Sequence, residues 1–103
     1  MRHIILQYFE DCPNWRITQR HLSTLVADGV DATVTFQLIE SDDKAIALGF
    51  KGSPTVLIDG VDPFAPDETP LGLSCRIYDT ESGLCGSPSL EQLRAVIAPT
   101  EEN

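Results

Sequence analysis

Three cysteines, Cys12, Cys75 and Cys85, are the side chains of this 103-residue sequence best suited to making and breaking covalent bonds. A cysteine acts through its thiolate, which attacks disulfides and other electrophiles and binds soft metals. The set is odd in number, and Met1-Arg2-His3-Ile4-Ile5-Leu6 lacks the apolar length and small-residue cleavage site of a secretory leader. A structural disulfide framework is therefore disfavoured, and free, catalytic or metal-binding thiols are expected in a cytoplasmic protein. His3 and His21 stand at no metal-ligand spacing from a cysteine or carboxylate, so no metal site is assigned. No glycine-rich phosphate loop or Ser-His-Asp set is visible, and no cofactor is called for.

The elements that must position these thiols are legible from periodicity. His3 to Phe9 is a nearly unbroken apolar run, the pattern of a strand buried on both faces. Cys12-Pro13 then opens a helix, proline at the first helical position giving up an amide that would be unpaired anyway. Trp15, Leu22, Leu25 and Val26 form its apolar stripe, and Asp28-Gly29 ends it. Cys12 is thus expected at a strand-to-helix junction, where unpaired amides and the helix dipole favour the thiolate. Glu10 and Asp11 oppose that effect. The bland alternative is a cysteine serving as a small apolar cap.

From Val30 to Ile39 apolar residues alternate, predicting a second strand parallel to the first through a right-handed crossover. Ser41 caps a short helix through Leu48, with Asp42 and Asp43 in its first turn and Gly49 past its end. Thr55 to Ile58 reads as a third strand running into an Asp59-Gly60 turn, with Arg76-Ile77-Tyr78 as its antiparallel neighbour. Residues 61–73, with Pro63, Pro66 and Pro70, read as a surface loop insertion. Ser89-Leu90-Glu91-Gln92 matches a capping box ahead of a last helix, and 100–103 reads as a frayed tail. The order is β-α-β-α-β-β-α: one α/β domain over residues 1–99, a mixed four-stranded sheet with helices on both faces.

Two segments carry a resemblance. Phe9-Glu10-Asp11-Cys12-Pro13-Asn14-Trp15 resembles the active-site segment of thioredoxin and glutaredoxin proteins, and Gly52-Ser53-Pro54-Thr55 resembles the segment in which a cis-proline precedes their third strand. Together with the proline-containing loop and Gly72-Leu73-Ser74-Cys75-Arg76, the order is similar to small thioredoxin-like proteins labelled alkylmercury lyase-like. The match covers nearly the whole chain. It implies a cis Ser53-Pro54 bond against Cys12 and a binding role for Ser53, whose backbone would pair with an extended substrate chain. Pro13 and Trp15 would flank the same groove, although Trp15, at the first turn of an amphipathic helix, reads first as a core residue.

The chain departs from the family pattern in having Trp15 where thioredoxins carry their second cysteine. Cys12 must then work as a single thiol or pair with a distant cysteine. The thioredoxin path would bring Cys85 near it, whereas the resemblance makes the thiol of the Gly-Leu-Ser-Cys-Arg stretch a recurring feature. Cys75 therefore stands slightly ahead of Cys85, and either could instead be buried and inert. Arg76 reads by default as a solvated arginine, and Tyr78 and Phe64 as core.

Sixteen acidic against seven basic residues give a net charge of −9, which argues against nucleic acid and anionic membranes as partners. The expected partner is a thiol- or disulfide-bearing protein or small molecule. The leading functional expectation is thiol-dependent redox or thiol-transfer chemistry with Cys12 as nucleophile. The alternatives are a non-catalytic binding module that keeps the fold, and soft-metal or organomercurial handling.

Overall fold

The structure is a computed structural model that describes residues 2–64 and 75–98. It is a small mixed α/β fold with the order β1 (Arg2–Tyr8), α1 (Trp15–Ala27), β2 (Ala32–Leu38), α2 (Asp42–Leu48), β3 (Thr55–Ile58), β4 (Tyr78–Thr80), β5 (Gly83–Cys85) and α3 (Leu90–Ile97). β1 is central, parallel to β2 and antiparallel to β3. Its central place explains its apolar run: Ile4 and Leu6 sit opposite Ile58 and Val56, and all four are buried.

Among the described residues the mixed sheet has three strands rather than the expected four. Tyr78–Thr80 pairs not with β3 but with β5, as a separate antiparallel hairpin. Cys75, just before the predicted fourth strand, makes a single parallel bridge to Ser53. Arg76 donates its amide to the Ser53 carbonyl and turns its side chain inward onto Asp62, and no ladder with β3 continues beyond it among the described residues. Residues 65–74 of the proline-containing loop, and the 100–103 tail, lie outside the described residues.

α1 and α3 share one core with the sheet: Leu22 and Leu25 from α1 and Leu93 and Ile97 from α3 meet Ile4, Leu6, Val56 and Ile58. Burying such side chains stabilises a fold by about 1.5–3 kcal/mol each. Within α1 the buried positions are Thr18, Leu22 and Leu25, whereas Val26, expected in the stripe, is exposed. Thr18 enters the core because its hydroxyl is satisfied 2.7 Å from the Ser87 hydroxyl. α2 contributes Ala45 to a second cluster with Ile39 and Phe50, against which Phe9 packs.

Local chemistry fixes the helix ends. Ser41 accepts from the Lys44 amide, Gly49 closes α2 at φ +69°, and Ser89 and Gln92 complete the capping box of α3. α1 differs from expectation at its start: it begins at Trp15, not Pro13, with Asn14 as a cap that makes no side-chain bond. The Arg16 and Ile17 amides bond the Pro13 and Asn14 carbonyls three residues back, a tight turn leading into the helix. No described helix is long and apolar enough to cross a membrane.

The Tyr78 hydroxyl, in the hairpin, donates to the Pro54 carbonyl, and burial pushes this phenol far above its ordinary value. The unfolded chain therefore gives up this proton near pH 10 while the folded chain holds it, so stability is full below pH 10 and falls above it. Tyr78→Phe should lessen the loss of stability measured by denaturant titration between pH 9.5 and 11. An unchanged alkaline profile would assign the loss to other groups.

Candidate functional site

The site begins at a turn. β1 ends at Tyr8, and Phe9 to Cys12 turns back on itself through the Cys12 amide, which donates to the Phe9 carbonyl at 3.3 Å. Glu10 and Asp11, at the corner, are exposed, while Cys12 is wholly buried. Its sulfur lies 3.6 Å from the Ser53 carbonyl oxygen. The Ser53-Pro54 peptide is cis, and both residues are buried. The Ser53 hydroxyl accepts from the Phe9 amide at 3.4 Å, tying this peptide to the turn that carries Cys12.

Cys12 is joined to Cys75 by a disulfide with a Cα separation of 5.9 Å across 63 residues of sequence. Such a separation is ordinary for bridged cysteines. One cross-link forms, between Cys12 and one of the two distant cysteines that could pair with it, and Cys85 is left free. Proximity decides the pairing, because the Ser53–Cys75 bridge and the Arg76 amide bond to Ser53 O, 2.9 Å, hold Cys75 beside Cys12. Cys85, at the end of β5, instead has its sulfur 3.5 Å from the Thr80 hydroxyl.

The two bonded cysteines differ in access. Cys12 is sealed, and Cys75 is exposed. An attacking thiol therefore meets Cys75 first, the reverse of an arrangement with Cys12 outermost. The Ser53 carbonyl, expected to meet an extended substrate, accepts one bond from the Arg76 amide of the same chain.

Arg76, expected as a solvated surface residue, is 5% exposed. It forks onto Asp62 with contacts of 2.7 and 3.3 Å, reaches the Thr55 hydroxyl at 3.2 Å and lies over the Tyr78 ring at 4.7 Å. This ion pair anchors Cys75 through its neighbour. Arg76 follows Cys75 directly, but a sequence records no partner 14 residues away.

Asn14 is a second residue that sequence reading passed over. Its side-chain amide is 3.9 Å from the Cys12 sulfur. The position is tight, since a β-carbon at Gly86 would collide with the Asn14 carboxamide. Trp15 does not face the disulfide in any recorded contact; its ring stacks on Tyr8 at 4.3 Å and meets Phe36 edge-on at 6.4 Å. Pro13 is exposed, and its recorded part is the carbonyl that starts the α1 turn. His3 is exposed, and His21 is partly buried with no recorded partner for Nδ1. Among the described residues, no group of three His, Cys, Asp or Glu side chains is placed to hold a metal.

Chemically, the arrangement offers one exposed cysteine bonded to one buried cysteine. The buried one has an amide donor beside it and sits three residues before the helix. Compared with family models, curated proteins and solved structures, the chain matches none of them.

Proposed function

We infer that this chain is a thioredoxin-like thiol–disulfide exchange protein whose working pair is Cys12 and Cys75. The observation that carries the reading is the disulfide joining a buried cysteine, next to a cis Ser53-Pro54 peptide, to an exposed one. An external thiolate attacks the Cys75 sulfur, the Cys12–Cys75 bond breaks, and Cys12 leaves as a thiolate. The Asn14 side-chain amide, 3.9 Å from the Cys12 sulfur, is the donor placed to favour that leaving charge. A second external thiolate then attacks the external sulfur of the mixed disulfide and releases Cys75. Two external thiols become one disulfide, and the protein gains two electrons and two protons. An oxidised partner runs the sequence backwards.

The test is trapping. With a disulfide-bearing thiol reagent, Cys12→Ser should form a lasting mixed disulfide at Cys75, read by intact mass. Cys75→Ser should react at Cys12 more slowly by about tenfold or more, following the access that sets exchange rates. Faster reaction at Cys12 would reverse the roles, and a wild-type disulfide that no dithiol reduces under native conditions would end the reading.

The complete burial of Cys12 is the observation favouring the non-catalytic binding module. In that reading the bond is a permanent cross-link, and it would resist reduction at potentials where thiol exchangers turn over.

A further inference from the structure

Beside the Cys12 turn lies a groove of about 310 Å³ lined by Phe9, Glu10, Asp11, Leu38, Ile39 and Glu40. One wall is the turn that ends in Cys12, and the other is the end of β2 with the two residues after it. The lining alternates in kind. Phe9 and Leu38 supply apolar surface over the buried Ile39, and Leu38 is 37% exposed at the end of an edge strand. Glu10, Asp11 and Glu40 are exposed carboxylates, and no basic side chain lines the groove.

We propose that this groove docks the thiol-bearing partner protein through a segment in which lysine or arginine neighbours an apolar side chain. The proposal rests on the thiol-exchange reading and names the partner that reading leaves open. The charge argument selects the occupant. Three carboxylates around an apolar floor repel an acidic or phosphorylated segment and attract a basic one. A second copy of this chain, with its net charge of −9, is a poor fit for the same reason. An apolar residue of the partner covers Phe9 and Leu38, and its flanking cation lies among Glu10, Asp11 and Glu40. Phe9 of the groove is tied through its amide to Ser53, and Ser53 bridges Cys75, so a thiol carried a few residues from that cation is brought toward the exposed end of the disulfide. The docking step moves no electrons; it raises the local concentration of the attacking thiolate.

The experiment measures the rate at which synthetic cysteine peptides reduce the wild-type disulfide, followed by mass after acid quench. One peptide carries Lys-Leu near its cysteine, a second Asp-Leu, and a third Lys with glycine replacing leucine. At low salt the Lys-Leu peptide should react about tenfold faster than the Asp-Leu peptide, in the range of steered encounters. Replacing leucine by glycine should remove part of that gain. The Glu10→Gln/Asp11→Asn/Glu40→Gln variant should bring the Lys-Leu to Asp-Leu ratio within about twofold, as should 0.5 M salt. A control variant, Asp43→Asn/Asp79→Asn/Glu91→Gln, removes the same charge elsewhere and should keep most of the ratio. If both variants lose the ratio equally, net charge rather than the groove selects the partner and the proposal fails; a ratio near one in wild type also overturns it. β-Mercaptoethanol, small and neutral, reports separately on the exchange chemistry. Its failure to reduce the disulfide at all would count against the thiol-exchange reading and not against the groove.

Discussion

Reducing the Cys12–Cys75 bond should lower the free energy of unfolding by about 4 kcal/mol. The bond closes a loop of 63 residues in sequence, and a cross-link of that span removes much of the unfolded chain's freedom, worth about 4 kcal/mol by the loop-closure relation. A domain of this size is stabilised by roughly 5–15 kcal/mol in total, so the reduced protein would keep only part of its stability. Denaturant unfolding with and without a non-thiol phosphine reductant measures the difference. Cys75→Ser should show the same loss and no further response to reductant. Cys85→Ser should match wild type in both states, because Cys85 takes no part in the bond. A difference below about 1 kcal/mol between the two redox states would mean that the cross-link does not constrain the unfolded chain as its span requires.

Arg76→Ala is the second substitution with a large expected cost, about 3–5 kcal/mol. The Arg76 and Asp62 side chains are only 4% and 13% exposed, so deleting the guanidinium leaves a largely buried carboxylate without its partner. The same deletion orphans the Thr55 contact and removes the cation stacked on Tyr78. Arg76→Lys should recover a minority of the loss, since an ammonium cannot reproduce the two-pronged contact with Asp62. Arg76→Met combined with Asp62→Leu should recover more than half, because removing both charges leaves neither one stranded. Equilibrium unfolding of the three variants beside wild type decides the matter. A cost under about 1 kcal/mol for Arg76→Ala is what an exposed pair would give and would contradict the burial described above.

Local signals carried far in this sequence, and long-range ones did not. The apolar run of β1, the alternation of β2, the Ser41 and Ser89 caps and the Gly49 stop all report on residues within a few positions of one another, and each element formed within about two residues of its expected place. The start of α1 slipped to Trp15 because Pro13 and Asn14 join a tight turn first, a choice that helical spacing does not encode. The fourth strand failed for a different reason. Arg76-Ile77-Tyr78 has strand-like residues, but the Arg76 amide bonds Ser53, ahead of β3, and Tyr78 pairs across the hairpin with Cys85. Within the site, the three cysteines and Ser53-Pro54 stood out by type alone. Their relative access did not, since burial of Cys12 and exposure of Cys75 depend on how a distant segment folds over the turn. Asn14 escaped notice because the fit that matters is with Gly86, 72 positions away.

The bond from the Arg76 amide to the Ser53 carbonyl has a bearing on how donors are told apart. One lone pair of that oxygen is engaged by the chain itself, so a visiting main chain shares the acceptor with an intramolecular partner. Side chains around a donor's cysteine then weigh more in discrimination than they would beside a vacant strand edge.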